Sequence, residues 1–162
     1  MLIRGKNLVY VEAGGEFSGA TAFKITPDGV TLKTEETKIV VETSESENPV
    51  DEIVLGNKID LEATLVDANF QALKDQVNDQ STGTEDFKIQ ATLDTPVAKN
   101  KHDMKFDVTH INGAVATGKE VTLTNMIFSG GLDMAVKRGE MWYLPLKAIA
   151  TAESVVTMGD KA

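Results

Sequence analysis

The sequence predicts a mainly β fold, an antiparallel β-barrel or sandwich with one flanking α-helix. Segments that alternate apolar and polar residues far outnumber helical patterns, and the breaks between them carry turn residues such as Pro27-Asp28-Gly29, Asn112-Gly113, Gly118 and Gly130-Gly131. Only one segment has the spacing of a helix stripe. The expected strands cover residues 8–11, 20–25, 30–34, 37–42, 53–65, 87–93, 104–111, 121–128, 142–150 and 155–158. Alternation is clearest in Phe87, Ile89, Ala91 and Leu93, and again in Trp142, Leu144, Leu146, Ala148 and Ala150. Closing such strands into a barrel or sandwich hides most of their edges.

The helix is expected directly after the longest strand, in GNKIDLEATLVDANFQALKDQ (Gly56 to Gln76). Ile59, Leu61, Ala63 and Leu65 alternate there with Lys58, Asp60, Glu62 and Thr64, giving one dry and one wet face. The period then changes. Val66, Phe70, Leu73 and Val77 recur at steps of four, three and four, and Asp67 is placed to cap the first free helical N–H groups. No glycine or proline marks the joint, so strand and helix are expected to share one core.

A length of 162 residues suits a single domain, 1–162, with a core that needs no staples. There is no cysteine, which excludes disulfides, thiolate metal sites and thiol catalysis. The start, MLIRGKNLVYVEAGG, lacks the apolar run of a signal peptide, and no segment approaches the roughly 20 apolar residues of a membrane span. The reading is a protein made in the cytoplasm of its producing cell without an ordinary export signal. Residues 1–19, with Gly14, Gly15, Ser18 and Gly19, are expected to form an N-terminal arm ordered by a partner.

The formal net charge is −9, and it is concentrated. From Glu35 to Glu52, seven carboxylates face Lys38 alone, a net −6. Within this stretch residues 42–52 (ETSESENPVDE), carrying Glu42, Glu45, Glu47 and Asp51, are too polar to pack and are expected to project as an acidic loop. Such a segment disfavours nucleic acid and anionic membrane, whose phosphates require Lys and Arg.

Candidates for chemistry are few. His102 and His110 are the only histidines, and surface or packing roles outweigh a metal pair. The run 75–85, with Asp75, Asp79, Ser81 and Glu85, fails the calcium-loop pattern because Val77 stands at the third position and the glycine falls late. Asp60 and Glu62 sit on a strand's wet face, where a hydrolase could use them, but alternation with Lys58 and Thr64 is what any solvated face shows. Trp142 and Tyr143 could stack on sugar, yet adjacent strand residues point to opposite faces. No phosphate loop, nucleophile elbow or dinucleotide fingerprint occurs, so a non-enzymatic module without metal or cofactor is expected.

Two stretches add a resemblance. Residues 51–73 (DEIVLGNKIDLEATLVDANFQAL) and 141–161 (MWYLPLKAIATAESVVTMGDK) together resemble the tail tube (major tail) proteins of long-tailed bacterial viruses. The resemblance implies a tail-tube-like barrel, six copies of which close into a ring, with rings stacking into a hollow tube. It implies a virion component, with tape-measure and tail-tip proteins as partners and double-stranded DNA passing through without specific binding or any membrane contact. It assigns Lys58, Asp60, Glu62 and Thr64 to the channel and Glu42, Glu45, Glu47 and Asp51 to contacts between rings, and packs the Val66, Phe70, Leu73 and Val77 stripe on the barrel. One departure is Asp67, where related sequences often carry Glu. A tail terminator, another ring-forming tail protein and a monomeric carbohydrate-binding module are the alternatives.

Overall fold

A computed structural model describes residues 1–66, 72, 75, 76, 88–129 and 143–162. Among these described residues eight strands form one antiparallel sheet: β1 (Leu2–Glu12), β2 (Val30–Val41), β3 (Asp51–Val66), β4 (His102–Ile111), β5 (Ala114–Val115), β6 (Lys119–Phe128), β7 (Tyr143–Ala150) and β8 (Val156–Asp160). The order is β5-β4-β1-β2-β3-β7-β6-β8, and a further pairing of β4 with β6 closes six strands into a barrel. Ile3, Leu8, Leu32, Leu61, Leu65, Phe106, Leu123, Met126, Leu144 and Leu146 fill its interior, each almost fully buried. The mainly β class is therefore as expected, and closure leaves the six barrel strands with neighbours on both sides over part of their length.

The N-terminus departs from expectation. Residues 2–12 are not an arm but a barrel strand, paired with β2 from Leu2↔Lys33 to Gly5↔Val30 and with β4 from Ile3↔Ile111 to Glu12↔His102. Its alternation is hidden by a bulge between Lys6 and Val9, which moves the inward set from Ile3 and Gly5 to Leu8 and Tyr10. Asn7 absorbs the extra residue with φ 58° and donates from Nδ2 to Asp107 Oδ2 at 2.8 Å. β6 repeats the device. Its inward residues pass from Val121 and Leu123 to Met126 and Phe128, and Asn125 takes φ 53°. Asn tolerates this left-handed conformation better than most residues, which is why it stands at both switches. At Gly5 a side chain has no room, because a Cβ would lie 2.2 Å from the Phe106 ring.

Three further expectations change. Residues 20–25 are not a strand but cross one barrel end: Phe23 N–H donates to the Leu8 carbonyl and Val66 N–H to the Lys24 carbonyl, on two strands that do not pair with each other. Residues 88–93 are irregular, and Ile89 is exposed; alternation supplies a face, but a strand also needs a free edge to pair with. Val66 ends β3, opposite Tyr143, rather than beginning a helix. Ala72, Asp75 and Gln76 are helical, with Ala72 and Gln76 buried, whereas Asp67, Phe70, Leu73 and Val77 lie outside the described residues. So do Trp142, Gly130, Gly131 and residues 77–87.

Pro145 sits inside β7, where proline would remove a ladder hydrogen bond from a fully paired strand. It is accommodated because, among the described residues, β6 pairs with residues 148–150 of β7 and Ser129 N–H adds one bond to the Lys147 carbonyl, so at Pro145 the neighbour is β3. Asn112 and Gly113, with φ 48° and 84°, make the two-residue turn between β4 and β5, as their sequence signals.

Candidate assembly surface

β2 and β3 are longer than the barrel. As far as Thr34 and Ile59 their inward residues contribute to the core, but from residue 35 to residue 55 every side chain is exposed. The two strands continue as a paired hairpin to Val41↔Asp51, with a bulge that leaves Leu55 unpaired between Thr37↔Gly56 and Lys38↔Val54. This projecting arm carries Ile39, Val40, Val41, Val50, Ile53, Val54 and Leu55, each 37 to 62% exposed. A two-stranded ribbon with apolar residues on both faces has no core of its own to bury them. Carboxylates are interspersed with these aliphatic residues, and the Lys38–Glu52 ion pair at 2.5 Å joins the two strands.

Glu42, Glu45 and Glu47 lie exposed in the tip, whereas Asp51 is the first residue of β3 and accepts the Glu52 N–H at 2.7 Å. The acidic segment is thus a tip of residues 42–50 on a structured stem rather than a loop over all of 42–52. Lys58, Asp60, Glu62 and Thr64 share the outer side of β3, opposite the buried Leu61, Ala63 and Leu65. Strand register supplies each charge with a neighbour that spacing in one strand could not reveal. Glu35 stands across from Lys58, Lys33 across from Asp60 and Lys147 across from Glu62. The resulting patch holds Lys33, Lys58 and Lys147 against Glu35, Asp60 and Glu62, three charges of each sign. Opposite charges at cross-strand positions favour this register.

One barrel end closes over aromatic rings. Tyr10 stacks on Phe23 at 4.6 Å between centroids and meets His102 and Phe128 edge-on at 5.5 and 5.2 Å. Burial holds the His102 imidazole below its ordinary pKa, although the charges of Asp75, Glu12 and Asp103 pull the other way, so the ring favours its neutral form. Burial likewise pushes the Tyr10 phenol up, reinforced by Asp75. Asp103, also buried, ties this end together by accepting from Gly14 N–H and Asn125 N–H, both at 3.0 Å.

The weaker candidates for chemistry do not converge. His102 and His110 occupy the two ends of β4, eight residues or about 26 Å apart, which excludes one metal site between them. Among the described residues no three His, Asp or Glu side chains gather as a metal site. Asp60 has Lys58 at 3.8 Å on the outer side of β3, while Glu62 borders a shallow depression of about 360 Å³ with Lys147 and Asp28, so the two carboxylates do not face one shared cleft. Tyr143 is exposed, and Trp142, the other residue considered for stacking on sugar, lies outside the described residues.

No protein-family model matches the sequence, and no curated protein is similar to it at a significant level. Solved structures do share its fold. A chain of the anti-feeding prophage cap (the tube-terminating cap) aligns over 96% of this chain and 89% of its own with TM-score 0.55 at 12% identity. A chain of an extracellular contractile injection system, the PVC sheath-tube complex in its extended state, aligns over 96% and 89% with TM-score 0.54 at 8% identity. A chain of the anti-feeding prophage baseplate gives TM-score 0.51 at 11% identity over 98% and 92%. The barrel is therefore one that occurs in phage-tail-like injection particles.

Proposed function

We propose that this chain is a structural, non-enzymatic subunit of a phage-tail-like tube. Six copies close into a ring, rings stack into a hollow conduit, and tape-measure and tail-tip proteins complete the particle. The observation that carries this reading is the hairpin arm. Seven exposed aliphatic residues on a projecting two-stranded ribbon are a surface built to be covered, and identical neighbours are the cover such a repeat supplies. The shared fold with chains of tube-bearing particles supports the same reading. In this proposal Glu42, Glu45, Glu47 and Asp51 lie between rings and the Lys58, Asp60, Glu62 and Thr64 side faces the channel. A wall with three cations balanced by three carboxylates adds little net attraction for phosphate, so DNA passes without being held.

Negative-stain microscopy of concentrated protein tests the proposal. Stacked rings with a central hole are the expected result, and tubes of unlimited length separate a tube subunit from a tail terminator, which stops at one ring. A chain that remains monomeric at high concentration overturns the reading.

A further inference from the structure

Among the described residues a basic depression lies beside β1. A cleft of about 630 Å³ opens at the start of β2, lined by Arg4, Lys6, His110, Thr31, the Pro27–Gly29 turn and Thr109. Arg4 and Lys6 are exposed, and neither has an ion-pair partner among the described residues. Asp28 is the single carboxylate in the lining. Arg4 and Lys6 stand two residues apart on one side of β1; Lys6 lies across from Asp107, whose carboxylate is already held by Lys161 and Asn7, and the cleft falls within the size range of ligand sites.

The acidic tip is at the opposite end of the same strand. Arg4 pairs with Thr31 near the beginning of β2, whereas the tip follows Val41 at its end. At about 3.3 Å per residue the two lie roughly 33 Å apart along an extended ribbon, so a chain cannot seat its own tip in its own cleft. A second copy, shifted along the strand direction, can. We propose that the Glu42–Glu47 tip of one copy docks in the Arg4–Lys6–His110 cleft of another, a head-to-tail contact whose repetition propagates the assembly. This inference rests on the self-assembling reading above and names the receptor that the arm finds. Charge complementarity selects the occupant: the tip offers carboxylates with little competing positive charge, and the cleft offers guanidinium and ammonium donors with a neighbouring imidazole. Heterologous contacts of this kind generate rings or open stacks, unlike a two-fold contact, which stops at a dimer.

Complementary charge reversal provides the test, with the full chain throughout. A cleft variant, Arg4→Glu/Lys6→Glu, and a tip variant, Glu42→Lys/Glu45→Lys/Glu47→Lys, are each followed by sedimentation velocity and microscopy, with circular dichroism as the folding control. Each variant alone brings like charges together at every junction and is expected to self-associate about tenfold or more weakly than wild type. An equimolar mixture pairs basic tips with acidic clefts and acidic tips with basic clefts, so assembly is expected to return as an alternating array. Recovery in the mixture also proves that both variants are folded. If a reversal impairs folding, the Arg4→Gln/Lys6→Gln and Glu42→Gln/Glu45→Gln/Glu47→Gln pair is used instead, and each must still weaken association. Wild-type assembly with variants that assemble equally well overturns the tip-to-cleft contact and leaves the tube reading standing. Folded variants that fail alone and remain apart in the mixture overturn it too. A wild type that never associates overturns both. Binding of a short DNA duplex that is lost in the cleft variant, with assembly intact, reassigns the cleft to phosphate.

Discussion

The two halves of the β2–β3 hairpin use the same strands for opposite ends. In the barrel half, Leu32, Leu61, Ala63 and Leu65 face a closed interior and charges face out. In the projecting half the apolar content persists, in Ile39, Val40, Val41, Ile53, Val54 and Leu55, but there is no interior to receive it. Apolar residues in the first half stabilise the chain's own fold; in the second they pair at most across the ribbon, as Ile39 does with Ile53, and remain exposed, which is the surface the proposed assembly would cover. The bulge at Leu55 marks the passage between them, since it ends the strict alternation that a one-sided core requires.

The contrast is broken most sharply by truncating one side chain in each half. Leu61→Ala removes a fully buried side chain from the barrel and is expected to destabilise the chain by about 3 kcal/mol, read as a lower urea midpoint. Leu55→Ala, at an exposed position, should change stability by about 0.5 kcal/mol or less yet weaken assembly. If Leu55→Ala unfolds the chain, the arm is part of the folding core after all. Deletion of residues 45–51 takes the same comparison further. A folded, soluble chain that no longer forms tubes is expected, because nothing removed is buried; a chain that loses its β circular dichroism would show that the tip closes the barrel.

A smaller effect tests the barrel end. Because His102 is held below its ordinary pKa of 6.5, the unfolded chain binds the proton more readily. The contribution of the neutral ring is full above about pH 6.5 and is lost as the pH falls from there through the depressed folded value. Replacement by Phe, which keeps the aromatic contacts with Tyr10 and Phe128, should flatten the decline in thermal midpoint over that window. An unchanged pH profile in His102→Phe would mean that the carboxylates of Asp75, Glu12 and Asp103 offset the burial.

How far each half could be read from sequence follows from the same physics. Strands with one uninterrupted alternation, such as Leu61 to Leu65 or Leu144 to Ala148, were legible together with the two-residue turn at Asn112-Gly113. β1 was not, because Asn7 shifts its inward face by one residue and makes LIRGKNLVYVE look like a short run rather than an 11-residue strand. Residues 20–25 misled for the converse reason: they are apolar because they cover a barrel end. On the candidate surface, Lys58, Asp60, Glu62 and Thr64 could be assigned to one face from spacing alone. Their partners Lys33, Glu35 and Lys147 could not, since pairing across strands depends on register. Neither could Arg4 and Lys6, whose significance comes from meeting the Pro27–Gly29 turn in space.

The least disruptive change probes what the charged face is for. Asp60→Asn with Glu62→Gln keeps shape and leaves Lys33, Lys58 and Lys147 with Glu35 as their only remaining carboxylate in the patch. Stability should move by no more than about 0.5 kcal/mol at the exposed Glu62, because open-face charges are screened by water. Assembled tubes are a different matter. In a ring the uncovered lysines repeat with every copy, and each phosphate they engage steepens the fall of affinity with salt by about 0.9 in the logarithmic slope. Tubes of the double variant should therefore retain duplex DNA at low salt and release it at high salt, while wild-type tubes retain little at either. Equal retention by both would place this face on the outside of the tube, and the balance of charge across β2, β3 and β7 would then serve strand register alone.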